Sequence, residues 1–386
     1  TAHLKADQPP VFEARLARRE GKKIAIANQA EAQAILDELK RAEFRVTKVV
    51  NRTTRRNPLP PFTTSKLQQE AISKLRFSAR KTMQVAQQLY EGIALGQGEQ
   101  VGLITYMRTD STRISQEAAQ EAAQLIRTRF GENYALKKPR FFKNRNSAQD
   151  AHEAIRPTSV ARTPEAVKPF LNRDQHALYT LIWKRFMASQ MQQALIDTIS
   201  VEIEAGSYRF NASGATVRFD GFMKLYRSSE EEARQKKEQE SRKLPPLTKE
   251  QRLEPQQVVP KQHFTIPPPR FSEASLVKEL EENGIGRPST YAAILSTIRD
   301  KGYVRLERRY FRPSELGFIV NDLIVESFPE EFDVEFTAKM ERDLDQIEAG
   351  KIESLEVLKA FYNSFKSRLE AATSGMRSMK AHGIPT

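Results

Sequence analysis

The feature that most constrains this chain is a change of hydrophobic period, made twice. "FRVTKVV" (44–50) alternates apolar and polar residues, as a half-buried strand does. From Thr64 to about Met191 the apolar residues recur at helical spacing instead. Residues 196–227, "DTISVEIEAGSYRFNASGATVRFDGFMKLY" being their context, return to period two. Strands on the two sides of a helical block can pair if the block is inserted into their domain. At 386 residues the chain also exceeds what one core usually organises. The expected fold class is therefore multidomain α+β. A β-rich arch domain takes 1–65 and 192–268. An inserted helical domain takes 66–191, and a winged-helix-like helical domain takes 269–386.

Local signals fill in this outline. Residues 1–27 read as extended segments, and 29–44 as an amphipathic helix carrying Ala30, Ala34, Ile35 and Leu39. The prolines of "RRNPLPPF" interrupt regular structure and suit a hinge. "SKLQQEAISKLRF" and "SARKTMQVAQQLYEGIAL" read as two helices, the second capped by Ser78, and 115–131 as a third, from Ser115 to Gly131. "QVGLITY" (100–106) reads as a short strand, and 174–191 as a further helix. Turn signals at Ala205–Ser207 and Ala212–Gly214 divide 196–227 into a meander, and the charged tract 228–243 reads as a solvated loop. "VVPKQHFTIPPPRF" reads as a strand broken at Pro267–Pro269. Beyond it come a helix capped by Ser272, a turn with Gly284 and Gly286, a helix entered at Pro288 and two short strands around Arg308–Arg309. Further helices fill 314–373.

Composition removes several functions. Lys and Arg number 62 against 49 Asp and Glu, a formal charge of +13, which favours a polyanionic partner such as nucleic acid. The absence of cysteine excludes disulfides, thiol catalysis and cysteine zinc sites. The five histidines are scattered, so no metal site is expected within the chain. No apolar run approaches the roughly 18 residues of a membrane span, and no Walker A sequence points to ATP. A cytoplasmic location fits all of this.

Three constellations can carry chemistry. In "GLITYMRTDSTRIS" (102–115), Tyr106 is a core aromatic, a base-stacking platform or a nucleophile. A phenol used as nucleophile needs positive charge close by. On a strand, Arg108 would share its face, and an arginine fork suits phosphate oxygens. Thr109, Asp110, Ser111 and Thr112 surround the pair with further polar groups. In "AHEAIRPT" (151–158), His152 can place or relay a proton, with Glu153 and Arg156 as charged neighbours. In "GIGRPSTYAAI" (284–294), Arg287, Ser289 and Thr290 stand at a helix start that favours phosphate, and Tyr291 can stack on a base. The pair in "DLD" (343–345) lies two apart on a helix and reads as surface charge.

These motifs, together with "PPFTTSKLQQEA", "TMQVAQQLYEG" and "GIGRPSTYAAILSTIRDKGYV", resemble the type IA DNA topoisomerases, chiefly the bacterial members. The resemblance runs to about residue 370. It implies an isomerase that cuts and reseals one DNA strand without ATP, relaxing negative supercoils. Tyr106 would be the nucleophile that becomes linked to a 5′ phosphate. Arg108 would position the scissile phosphate and His152 would support the site. Arg287 would bind the strand, with Ser289, Thr290, Tyr291, Thr109, Asp110, Ser111, Thr112 and Arg156 as further DNA contacts. The implied partners are single-stranded DNA, negatively supercoiled duplex and the family's own toprim domain, in a monomer. The family's magnesium would be held by that toprim domain, whose acidic motif is not found here. Cysteine zinc ribbons are likewise not found. The expectation is a core fragment that binds single strands and does not relax supercoils unaided. Alternatives are the topoisomerase part of a reverse gyrase, a topoisomerase III, or a non-catalytic single-strand clamp.

Overall fold

The structure, a computed structural model, describes residues 1–96, 98, 100–143, 152–233 and 244–375. It divides into two compact units, Thr1–Pro58 with Met191–Pro267, and Leu59–Gln190 with Pro268–Thr386.

The first unit is built on one antiparallel sheet. Its strands are β1 (Ala2–Lys5), β2 (Phe12–Arg19), β3 (Lys22–Lys23), β4 (Phe44–Arg56), β5 (Ala194–Ala205), β6 (Tyr208–Phe219) and β7 (Arg252–Val258). Their order is β1-β7-β4-β5-β6-β2-β3, and β1 also pairs with β2, so six of them close into a ring. Closure removes free edges. The longest ladder joins β4 to β5, from Phe44 opposite Ala205 to Arg56 opposite Ala194. The chain leaves the sheet at one end of this ladder, at Arg56, and re-enters it there at Ala194. Alternate residues fill the ring: Phe44 and Val46, Val201 and Ile203, Tyr208 and Phe210, Phe12 and Leu4. Helix α1 (Gln29–Leu39), capped by Asn28, adds Ile35 and Leu39 to the same core.

Three local expectations are corrected here. Gly206 and Ser207 do turn the chain between β5 and β6, but Ala212–Gly214 makes no turn. These small residues lie inside β6 because the neighbouring space is taken. A Cβ on Gly214 would stand 3.3 Å from both Ile199 and Leu244 side-chain atoms. The last strand is Arg252–Val258, ahead of the segment expected to form it; 259–270 has no regular structure, and its four prolines lack the N–H a ladder needs. Of the tract 228–243, Ser229–Ala233 is helical rather than looped, and 234–243 falls outside the described residues.

The second unit is mostly helical. Its helices are α2 (Thr64–Glu70), α3 (Ala79–Glu91), α4 (Gln116–Phe130), α5 (Pro164–Val167), α6 (Arg173–Ser189), α7 (Glu273–Glu282), α8 (Tyr291–Asp300), α9 (Glu315–Ser327), α10 (Val334–Glu348) and α11 (Ser354–Gly375). Side-chain caps at Thr63, Ser78, Ser115, Asn172, Ser272 and Ser314 satisfy first-turn amides. A π-helical turn, Ala71–Leu75, extends α2 and ends at Arg76 in the left-handed region. A hairpin of β8 (Val304–Glu307) and β9 (Tyr310–Pro313) follows α8. Helix α6 is the central element, burying Tyr179, Ile182, Trp183 and Phe186. Its Arg185 is also buried; Nε donates to the Pro60 carbonyl at 2.6 Å and the guanidinium lies over Phe62. Among the described residues, no helix is long and apolar enough to cross a membrane.

Two glutamates fasten α7 to the first helices. Glu273 accepts from the Ala79 amide at 2.9 Å and from Arg299 at 3.0 Å. Glu281 accepts from Ser65, Gln69 and Lys66 at 2.8, 3.1 and 2.9 Å. Burial pushes the Glu281 carboxyl up, but the Lys66 ammonium and the Ser65 and Gln69 donors outweigh it and hold the group below its usual range.

Phe44 and Phe210 meet across the ring core with centroids 5.4 Å apart. Phe44→Ala is expected to cost about 3–5 kcal/mol in urea unfolding followed by circular dichroism. Ile26→Ala, at an exposed position, should cost less than about 0.5 kcal/mol. Equal costs would contradict this description of the core.

Candidate active site

Tyr106 stands in a segment that touches three different parts of the second unit in quick succession. The Leu103 amide donates to the Leu89 carbonyl at 2.7 Å. Thr105 exchanges bonds with the 154–156 segment: its amide donates to Arg156 O, its hydroxyl donates to Ala154 O at 2.7 Å, and it accepts from the Arg156 amide at 3.0 Å. Thr64, fully buried, then holds the far side. Its hydroxyl donates to the Met107 carbonyl at 2.7 Å, with Thr109 O also in reach at 3.0 Å, and accepts from the Thr109 amide at 2.8 Å. The Thr64 amide donates to Thr109 O at 2.9 Å. A chain that changes partner every two residues cannot form a ladder. Only Gln100–Val101 is a strand, so Tyr106 and Arg108 do not share a strand face as expected.

The phenol is half-buried between two rings. Tyr90, near the end of α3, meets Tyr106 edge-on with centroids 5.4 Å apart. His152 lies on its other contact at 5.5 Å, tilted by 33°. Nδ1 of His152 is buried and has no hydrogen-bond partner among the described residues. Such an atom either strains the fold or awaits a partner that binds there. Gly102 lets the segment approach Tyr90; a Cβ there would stand 2.7 Å from the Tyr90 carbonyl oxygen.

Arg108 is exposed and opens onto a cleft of about 300 Å³. Arg80 and Met83 of α3 line it with Ser289, just before α8, and with Ala292 and Ser296 of that helix. Two guanidiniums and two hydroxyls around an open cleft make a fitting place for a phosphate. Thus the structure brings Arg108 and Ser289 together.

Other residues expected to touch DNA have partners within the chain. Thr109 and Ser111 are buried; Thr109 Oγ1 accepts from the Ser111 amide and Ser111 Oγ from the Arg113 amide, both bracing the turn. Thr112 is half-buried, its hydroxyl 3.5 Å from Lys143 O, and Asp110 is half-buried beside Tyr291. Arg156 is committed to Glu153 at 2.6 Å and to the Pro157 carbonyl. Thr290 accepts from the Arg287 amide. Tyr291 cannot stack on a base: it is 7% exposed, in a core with Val277, Leu295 and Phe311, and burial pushes its phenol up to about 12. Arg287 grips α10, donating to Glu341 at 2.7 Å and to Asp345 at 2.7 Å. Asp345, read as surface charge, is therefore an ion-pair partner.

Sequence reasoning missed Thr64, Tyr90, Gly102 and Arg80. The first two sit inside quoted motifs, "PPFTTSKLQQEA" and "TMQVAQQLYEG", but their contacts to Tyr106 and its segment are made across the chain. Among the described residues no group of three or more His, Cys, Asp or Glu side chains could hold a metal ion.

The sequence profile of a DNA topoisomerase family matches residues 2–359. The fold is similar to the full-length topoisomerase I of Thermotoga maritima, with a TM-score of 0.76 and 37% sequence identity. The match covers 92% of this chain and 56% of that one, so the chain spans little more than half of its relative's length.

Thr64→Val keeps the shape but removes the hydroxyl that ties Met107 and Thr109 in place. Leaving these buried groups unpaired should cost about 1–3 kcal/mol. Hydrogen exchange at the Thr109 amide should speed up well beyond any change at Val201 in the other unit. Unchanged exchange at Thr109 would contradict the role given to Thr64.

Proposed function

The chain belongs to the type IA DNA topoisomerase family, and on that premise we propose that it binds single-stranded DNA and cuts it with Tyr106. The observation that carries this reading is the setting of Tyr106. Its phenol sits on a segment clamped on both sides, between Tyr90 and His152, one residue from Met107 and two from an exposed Arg108 that opens on a basic cleft.

The reaction is a transesterification. Tyr106 Oη attacks the phosphorus of one phosphodiester. A tyrosine O–P bond forms and the bond from phosphorus to the 3′ oxygen breaks. The products are a 5′-phosphotyrosine and a free 3′ hydroxyl; the phenol gives up its proton and the leaving oxygen gains one. One phosphate ester replaces another, so resealing is the same step reversed and needs no ATP. Arg108 holds the non-bridging oxygens and meets the charge that builds on them. Arg80 and the Ser289 hydroxyl hold neighbouring phosphates along the cleft. His152, whose ring meets that of Tyr106 and whose Nδ1 has no partner among the described residues, would supply a hydrogen bond beside the phenol. The aromatic pair keeps the phenol from swinging away.

The chain covers just over half of the Thermotoga protein. Relaxation of negatively supercoiled duplex DNA is therefore proposed for it only together with the further regions of a full-length relative, a toprim domain holding magnesium among them. A monomer acting on cytoplasmic, nucleoid DNA completes the proposal.

The test uses single-stranded oligonucleotides labelled at the 5′ or the 3′ end, run on denaturing gels after incubation with the chain. A denaturant-stable adduct that carries only the 3′ label, and is lost in Tyr106→Phe, is the expected result. An adduct of equal yield in the variant, or one carrying the 5′ label, would overturn the assignment.

A further inference from the structure

A second cleft in the same unit, of about 660 Å³, lies between the end of the π-helical turn and the β8–β9 hairpin. It shares no lining residue with the cleft at Arg108. Its character is basic. Arg76, Arg299, Arg308 and Arg309 line it, with Glu273 as its one acid. Glu273 is already engaged: one oxygen takes the Ala79 amide and the other takes Arg299. That leaves Arg76, Arg308 and Arg309, whose guanidiniums have no ion pair or hydrogen bond among the described residues. Three uncompensated guanidiniums around one concavity repel one another unless an anion enters.

The backbone points the same way. Arg76, Arg308 and Arg309 have φ of 63°, 48° and 73°, the left-handed region that disfavours residues with a Cβ. Arg308 and Arg309 form the whole two-residue loop between Glu307 and Tyr310, where Asn-Gly is the favourable choice. Carrying arginine at both positions sacrifices local stability, and such strain gathers at binding sites. The hairpin is fixed in place: the Phe311 amide donates to Phe271 O at 2.7 Å, and Phe311 itself is in the core. Strand alternation then turns Tyr310, 47% exposed, the other way, into the cleft beside the arginines.

We propose that this cleft is a second contact for single-stranded DNA, separate from the site of Tyr106. Arg76, Arg308 and Arg309 would take successive phosphates, and Tyr310 would stack on a base. The two clefts flank the α3–α8 pair: Arg80 and Ala292 line one, and Ser78, the cap of α3, and Arg299 line the other. One strand followed along that pair would meet both. The inference rests on the reading of the chain as a strand-binding protein, and it adds where a strand is held away from the cut.

The experiment is fluorescence anisotropy with an oligodeoxythymidylate of about 20 nucleotides, longer than one such site, titrated over a range of salt concentrations. The variant is Arg308→Gly/Arg309→Gly. Glycine suits both φ values, so the fold is retained, and a thermal midpoint equal to or above that of the unaltered chain confirms it. Losing two phosphate contacts should flatten the log–log salt slope by about 1.4, and Tyr310→Ala should weaken binding about tenfold. Unchanged slope and affinity in both variants, with the unaltered chain binding well, would overturn the second contact. Adduct formation by the unaltered chain is read in parallel. An adduct with an unchanged slope sinks this proposal and leaves the tyrosine reading standing; a flattened slope without an adduct does the reverse. No salt-dependent binding by the unaltered chain would overturn both.

Discussion

The buried hydroxyl of Thr64 is the point on which the site depends. It sits at the first turn of α2 and reaches Met107 O, Thr109 O and the Thr109 amide, while its own amide takes a further bond to Thr109 O. Each bond is modest by itself, yet an unpaired group in that place is expensive, so the set is made or broken together. With Thr105 doing the same on the other side, Tyr106 is held on a segment that has no regular secondary structure. Rigidity here comes from side-chain hydroxyls standing in for a ladder.

The same economy appears in the way α7 is fastened. Glu273 and Glu281 stand about two turns apart on one side of α7, and each satisfies donors from the 64–79 segment. Glu273 serves as an anionic cap on the first turn of α3, where the helix dipole favours it. Apolar contact reinforces the join, since Ala79 packs in the core that holds Val277, Tyr291 and Leu295. The elements that place Arg80 and Ser289 on either side of Arg108 are therefore joined by ion pairs and by burial at once. Arg287 contributes from further out by holding α10 against the turn at Gly286.

What the sequence made legible was periodicity. The alternation in 44–50 and after 196, the caps at Ser78, Ser115 and Ser272, and the helix–turn–helix–hairpin order after Pro269 all follow from local rules, and the elements are there. What it hid were matters of tertiary packing. Ala212–Gly214 looks like a turn and is a strand because Ile199 and Leu244 need the space. Tyr291 looks like a stacking platform at a phosphate-friendly helix start, yet its ring completes a core. "QVGLITY" carries strand propensity but beyond Val101 forms only an isolated bridge, Ile104 opposite Pro157. In the site, residue types pointed to Tyr106, Arg108 and His152. The ring and the hydroxyl that hold Tyr106 and its segment, on Tyr90 and Thr64, lie well upstream in sequence, and nothing local marks them.

Under the proposed function the Tyr106 phenol, and not its ring neighbour Tyr90, makes the bond to DNA. The most direct measurement is mass spectrometry of the proteolysed adduct formed with a single-stranded oligonucleotide, with fragmentation to locate the modified residue. The account predicts a peptide in which Tyr106 carries nucleotides through their 5′ phosphate and Tyr90 is unmodified. Nucleotides on Tyr90, or on any residue other than Tyr106, would contradict it.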